Sequence, residues 1–219
     1  PKILAYHRKN FFEYAGASGG WLDKLGYPFC RGRIFSVTEE DKGQYDDTHE
    51  CFWASGAAMV IRPQLFHQGG GFDPDFFAHL EEIDLCWRLK RAGFKIMTHP
   101  QSVVYHVGGG TLDYLSPRKA YLNFRNSLYT IYKNSSKRKR RWLIPFRLVL
   151  DGMAAGLFLF EGKYRHIRAL LNAHLHFYRD LKKLRKKRLD YDECIEKISI
   201  SKTFNERGIY QGSIVFDFY

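Results

Sequence analysis

The order of apolar and polar positions divides the chain into a first part of short, interrupted runs and a second of long helical periods. Ile3-Leu4-Ala5-Tyr6 reads as a strand. It is followed by FFEYAGASGGWLDKLGYPFCRGRIF, where Gly16, Gly19, Gly20, Gly26, Pro28 and Gly32 recur too often for any long regular element. TEEDKGQYDDTHE (38–50) is an exposed acidic loop without the spacing of a calcium-binding loop. CFWASGAAMVIR (51–62) predicts two strand pieces around a Ser55-Gly56 kink, the second being AAMVI. Pro63 suits the first turn of a short helix, PQLFHQ, which the glycines at 69–71 stop. A further helix is expected over Glu81 to Ala92, with Gly93 as its C-terminal stop. Phe94–Thr98 and Ser102–His106 follow as strands, separated by His99-Pro100.

After Ser116 the period lengthens. RKAYLNFRNSLYTIYKN places Tyr121, Phe124, Leu128 and Ile131 on one helical stripe, and SSKRKRR (135–141) reads as a basic linker. WLIPFRLVLDGMAAGLFLF (142–160) is mostly apolar but contains Pro145, Arg147 and Asp151. Each charge would cost ~2.5–3.5 kcal/mol at a bilayer centre, so the segment makes a poor spanning helix. The Gly152/Gly156 spacing permits close helix packing in any solvent. Residues 161–190 give a long amphipathic pattern with Ile167, Leu170, Leu171, His174, Phe177, Leu181 and Leu184 as its stripe. The tail, 198–219, ends in two β-type runs, ISI and SIVFDFY. The pattern thus predicts an α/β part over 1–115, a basic helical extension over 116–197 and a strand-like tail over 198–219.

Charge sharpens this division. The formal net charge of +12 is uneven: from Tyr114 to Arg188 there are 20 Lys and Arg against three acids, leaving 15 against 20 elsewhere. A strongly basic helical part suits an anionic surface. Between acidic lipid and nucleic acid, the apolar stripes favour lipid, because they draw inward the tyrosines that single-strand binding would need, and no nucleic-acid motif is present. The four cysteines (Cys30, Cys51, Cys86, Cys194) are far apart and form no CxxC pair, which excludes a zinc finger and a disulfide framework and suits a reducing cytosol. The chain begins at Pro1 without an initiator Met, as expected of a fragment or a processed protein.

The candidate chemistry lies in Gly71–Gly110. Glu81, Glu82 and Asp84 occupy the first turn of the predicted helix, a strand ends in Tyr105-His106, and Gly108–Gly110 follow. Glu81, Asp84, Arg88 and Arg91 share a polar face, while Glu82 falls on the face that carries Cys86 and Leu89. Each feature alone has a simpler reading. Acids are favoured at helix starts, Asp84 has ion-pair spacing to Arg88, and three glycines without a GxxxxGK[ST] or GxGxxG framework are a flexible loop.

Taken in order, the residues from 56 to 111, GAAMVIRPQLFHQGGGFDPDFFAHLEEIDLCWRLKRAGFKIMTHPQSVVYHVGGGT, resemble the C-terminal half of inverting family 2 glycosyltransferases, the rhamnosyl/galactosyl-transferase-like group. The resemblance implies the C-terminal part of a GT-A (nucleotide-diphospho-sugar transferase) fold followed by the basic extension. It implies Glu82 as general base, with Glu81 and Asp84 as neighbouring candidates because Glu stands where the family pattern has Asp. It implies His106 as a contact to a divalent metal (Mg2+ or Mn2+) and Gly108, Gly109 and Gly110 beside the donor diphosphate. Ser55, Gly56 and Ala57, with Trp53 nearby, would line the acceptor side.

The implied partners are a nucleotide-diphosphate sugar, a glycan or lipid-linked acceptor of bacterial cell-surface polysaccharide, and an anionic membrane surface met by residues 116–190. The implied location is the cytoplasmic, inner face of the cell membrane. The family's N-terminal nucleotide-binding half has no counterpart in the sequence, so this chain alone is expected to be inactive. The competing readings are a non-enzymatic basic module that binds membrane or nucleic acid, and a scaffold that keeps the fold without activity.

Overall fold

In the computed structural model, residues 1–15, 17–34, 36–108 and 116–206 are described, with side chains as far as 199. The chain is mixed α/β. Its strands are β1 (Lys2–Ala5), β2 (Arg8–Phe12), β3 (Gly20–Leu22), β4 (Pro28–Cys30), β5 (Arg33–Ile34), β6 (Val37–Thr38), β7 (Glu50–Cys51), β8 (Ile96–Met97) and β9 (Val103–His106). Its helices are α1 (Pro63–Gln68), α2 (Glu81–Arg91), α3 (Pro117–Asn134), α4 (Lys137–Phe160), α5 (Tyr164–Arg179) and α6 (Leu181–Glu206), with one 3₁₀ turn at Pro74–Phe76. Two compact units result. One comprises Pro1–Phe72, Glu82–Gly108 and Asp190–Tyr219; the other comprises Asp73–Glu81 and Gly109–Leu189.

In the first unit a three-stranded sheet has the order β2-β1-β9. β1 runs antiparallel to β2 and parallel to β9, in a register that sets Ala5 opposite His106. The buried Lys2 ties the acidic loop to this sheet by ion pairs to Asp41, at 2.7 Å, and to Asp46. Burial pulls the Lys2 ammonium down, but the two carboxylates more than offset that and raise it. β3 with β4, β5 with β6 and β7 with β8 make two-stranded pairs, as short as the glycine-rich sequence requires.

The AAMVI strand does not form. Residues 57–61 have no regular structure, and Val60 is 93% exposed. A strand needs a neighbour to receive its ladder hydrogen bonds, and none pairs with this segment among the described residues.

α2 departs most from its expected form. Its polar face is interior: Asp84 and Arg88 are 0% and 1% exposed, in a helix buried from Ile83 to Leu89. The two charges are tolerated because they meet at 3.0 Å and Arg88 spends its remaining donors on backbone. Its Nη1 donates to the Gly69 carbonyl, its Nη2 to that of Gly71 at 2.7 Å, and its guanidinium lies 4.2 Å from the Tyr191 ring centre. Arg91 pairs with Asp192 at 2.5 Å, and Ala92 packs with Ile195 and Ile198 from α6.

This packing also explains the tail. Ile195 and Ile198 are one helical step apart and buried, so α6 continues through ISI to Glu206 instead of turning into a strand. SIVFDFY lies outside the described residues.

The second unit is helical. Ser116 and Ser136 cap α3 and α4 by accepting from the Lys119 and Lys139 amides. The Ser136 cap draws 137–141 into α4, so the expected basic linker shrinks to Ser135-Ser136. In α3 the buried stripe includes Leu122, Leu128 and Ile131, leaving Tyr121 and Phe124 half-buried. The long amphipathic pattern breaks at Asp180, which ends α5, and Leu171 faces outward.

The fully buried Asp73 anchors the helices through Lys133, at 2.7 Å, and Lys187. Lys183 and Lys187 hold Asp75 at 2.6 and 2.5 Å. Burial pushes the Asp73 carboxyl up, but the charge and hydrogen bonds of Lys133, helped by Lys187, hold it at about 2.

Two outcomes follow from these buried charges. Arg88→Met strands the Asp84 carboxylate and two glycine carbonyls, and should lower stability in urea unfolding by about 3–5 kcal/mol. Asp73 has a folded value below its ordinary 3.8, so its contribution is complete above that pH and is lost as pH falls toward about 2. Acid titration followed by circular dichroism should show helix loss in that window, and Asp73→Asn should flatten it.

Candidate functional site

α2 begins with two carboxylates placed differently. Glu82 lies in the first unit, where Gly56 comes up against it: a Cβ on Gly56 would stand 3.7 Å from the Glu82 Cβ and 3.9 Å from its carboxyl carbon. The Ser55-Gly56-Ala57 turn that brings Gly56 there is held by the buried Ser55, whose Oγ accepts from the Ala57 amide at 3.3 Å. Cys86, one turn further along α2, is pushed up to about 12 by burial and is an inert, packed thiol. Asp84 is the buried partner of Arg88.

Trp53 is nearly buried. Its Nε1 donates to the Trp21 carbonyl at 3.0 Å, and its ring lies against Gly20 so closely that a Cβ there would fall 2.0 Å from an indole carbon.

Glu81 belongs to the second unit and follows a strained loop. Phe77, His79 and Leu80 have φ of 64°, 69° and 71°, a region that side chains rarely occupy. At roughly 1–3 kcal/mol each, such residues persist only where their surroundings fix them. Here α3 does so. Asn126 Nδ2 donates to the carbonyls of Phe76 at 3.0 Å and of Ala78 and His79 at 2.8 Å, and Arg125 Nη2 donates to those of Asp75 and Phe76. Burial raises the Glu81 carboxyl above its ordinary value, and its Oε2 is enclosed without a hydrogen-bond partner. Burial, assisted by the charge of Lys119, lowers the His79 imidazole.

At the C-terminal end of the β1/β9 parallel pair, His106 Nδ1 lies 3.3 Å from Oε2 of the buried Glu13, without hydrogen-bond geometry. One imidazole nitrogen and one carboxylate oxygen are a fitting donor pair for Mg2+ or Mn2+. They fall short of a complete cage: among the described residues no group of three or more His, Cys, Asp or Glu could hold a metal. Gly108 adopts φ 63° just beyond, while Gly109 and Gly110 lie outside the described residues.

The structure therefore brings Gly56 to Glu82 and Glu13 to His106. Glu13, Arg125 and Asn126 escaped the sequence reading, because each acts on a segment far away in the chain and carries no local motif. Lys133, likewise, gave no sign in sequence of a buried partner at Asp73.

The chain is similar to glycosyltransferases of glycan biosynthesis. It is 39% identical over 54 residues to an N-acetylglucosaminyl-diphospho-decaprenol L-rhamnosyltransferase of Mycobacterium tuberculosis, covering 25% of this chain and 18% of that protein. It is 37% identical over 62 residues to the rhamnosyltransferase WbbL of Escherichia coli, covering 28% and 23%. It is 26% identical over 125 residues to the low-salt glycan biosynthesis hexosyltransferase Agl10 of Haloferax volcanii, covering 56% and 41%. The chain thus matches between about a fifth and two fifths of these relatives' lengths. No family profile matches the sequence, and no solved structure matches the fold.

The Gly20–Trp53 contact gives a test of the scaffold under this site. Gly20→Ala must displace the indole and should cost about 1–3 kcal/mol, read as a lower melting temperature with a shift in Trp emission.

Proposed function

We propose that the chain is the acceptor-side half of an inverting, family 2, GT-A-type glycosyltransferase that adds a sugar to a lipid-linked or glycan acceptor at the cytoplasmic face of a bacterial cell membrane. The observation that carries this reading is the convergence of Gly56 and Glu82. Two pieces of the glycosyltransferase-like pattern, separate in sequence, meet as a small turn against a carboxylate. The rhamnosyltransferase relative named for a diphospho-decaprenol acceptor supports the lipid-linked class.

In this mechanism Glu82 accepts the proton of the acceptor hydroxyl as that oxygen attacks the anomeric carbon. The bond to the nucleoside diphosphate breaks on the opposite side, which inverts the centre. Gly56, lacking a side chain, leaves room for the acceptor hydroxyl beside the carboxylate. Burial raises the Glu81 carboxyl above its ordinary value, and in this reading the residue shapes the turn with His79. Asp84 positions the helix through Arg88. A divalent ion held by His106 and Glu13 would supply charge neutralisation for the departing diphosphate. Gly108 lets backbone approach that diphosphate closely. The donor nucleotide would be held largely by the family's N-terminal half, so this chain alone is predicted to be inactive.

A nucleic-acid-binding module is the weaker reading. Tyr129 is buried and donates to Asp180 at 2.6 Å, while Tyr121 and Tyr132 are engaged by His176 and Arg140 inside the helical unit. Those rings are committed to packing and hydrogen bonding.

In the complete enzyme, Glu82→Gln should reduce transfer by roughly 10²–10⁴-fold while donor binding persists. Glu81→Gln should retain most activity. Unchanged turnover in Glu82→Gln would remove the base assignment.

A further inference from the structure

α4 is inside out for a helix in water. From residue 142 to 160 it carries two charges, Arg147 and Asp151, and both are 1% exposed. Arg147 Nη2 donates to Ser127 Oγ of α3 at 2.9 Å, and the Asp151 carboxylate meets His174 Nε2 of α5 at 2.9 Å. The outward face instead presents Trp142, Phe146, Val149, Met153, Leu157 and Phe160, which are between 43% and 90% exposed. These six share one stripe at spacings of three and four. α5 adds the exposed Leu171, Leu175 and Tyr178. A water-soluble surface scatters such residues singly, and a continuous stripe of this kind marks a face whose partner is not water.

Among the described residues α4 is the one helix long and apolar enough to cross a membrane by length and composition, and its buried charges remove the main objection raised by its sequence. Crossing nevertheless fits poorly. α4 packs along α5, whose exposed side also carries Arg165, Arg168 and Arg179, so α4 cannot enter the hydrocarbon alone. The charges are placed for a helix lying in the plane of the bilayer surface. Lys137, Arg138, Lys139, Arg140 and Arg141 fill the first turns of α4, and Lys163 and Arg165 follow its end, both at the level of anionic headgroups. Arg168 can extend to that level along its own alkyl stem.

From the stripe, the buried charges and the basic ends, we infer that the α4–α5 pair docks in the plane of an anionic bilayer, with Trp142, Phe146, Val149, Met153, Leu157 and Phe160 entering the acyl region. The buried Arg147–Ser127 and Asp151–His174 contacts keep the opposite face of α4 on its own helical unit. This docking stands apart from the transferase reading, since it needs neither sugar donor nor acceptor.

The test is flotation of the 219-residue chain with vesicles of phosphatidylcholine alone or mixed with phosphatidylglycerol, with no sugar present. Binding to the mixed vesicles is expected, with Trp142 emission quenched by lipids brominated on the acyl chain and the quenching absent in Trp142→Phe. Met153→Glu/Leu157→Glu changes exposed positions, should keep its helical circular dichroism, and should weaken partitioning at least about tenfold. Lys137→Gln/Arg138→Gln/Arg141→Gln should weaken binding to the anionic vesicles about a hundredfold, with little change on phosphatidylcholine.

Three results would overturn the docking. One is vesicle binding that ignores Met153→Glu/Leu157→Glu. Another is a lipid-free dimer by analytical ultracentrifugation that those changes convert to monomer, which would assign the face to a second copy. The last is Trp142 emission left unchanged by acyl-brominated lipids while the chain is vesicle-bound, which would place the contact elsewhere. Absence of sugar transfer by the complete, unsubstituted enzyme, with vesicle binding intact, would count against the transferase reading alone.

Discussion

The buried guanidinium of Arg88 is the interaction on which the first unit depends. A single side chain neutralises Asp84, satisfies the carbonyls of Gly69 and Gly71, and stacks on Tyr191. It thereby fixes the glycine turn that ends α1, the roll of α2 and the path of α6 at once. Arg88 and Arg91 tie the second half of α2 to the glycine turn and to α6, and Glu82 stands beside Gly56 at the other end of the same helix. Lysine could not replace it, since one ammonium cannot reach a carboxylate and two separated carbonyls with the planar fork those contacts use.

The second unit solves the same problem by dispersal. Asp73, Asp75, Lys133, Lys183 and Lys187 share the task of joining the 3₁₀ turn to α3 and α6, and Asn126 converts three strained residues into a fixed loop. The strained residues Phe77, His79 and Leu80 lie immediately before Glu81, the first residue of α2.

Much of the first unit's local structure is visible in the sequence, because β1, α1, α2 and β9 are bounded by glycine or proline and have clear periods. The errors arise where tertiary context overrides period. Asp84 and Arg88 have the spacing of a solvated pair, and only the Gly69–Gly71 carbonyls explain why they are interior. AAMVI has strand composition but no ladder to join. ISI reads as β by composition, yet it lies on a helix that had already been committed by Ile195 against Ala92. The site is half legible. The order of the acids, the histidine and the glycines is readable in sequence, whereas Glu13, Arg125 and Asn126 become meaningful only once folding brings distant segments together. In α4 the sequence shows two charges in an apolar run, and the direction in which they point belongs to the fold.

Pro145 gives that helix a gradient along its axis. It sits within α4 and has no N–H, so the carbonyl of Arg141, one turn earlier, has no amide to receive. A bare carbonyl is inexpensive where water can reach it and costly in hydrocarbon. Arg141 and Pro145 are both exposed, so solvent is at hand for that carbonyl, and the run from Val149 to Phe160 continues as helix without a proline. A proline that would count as a defect in a spanning helix therefore costs this one little, because its opening turns are exposed.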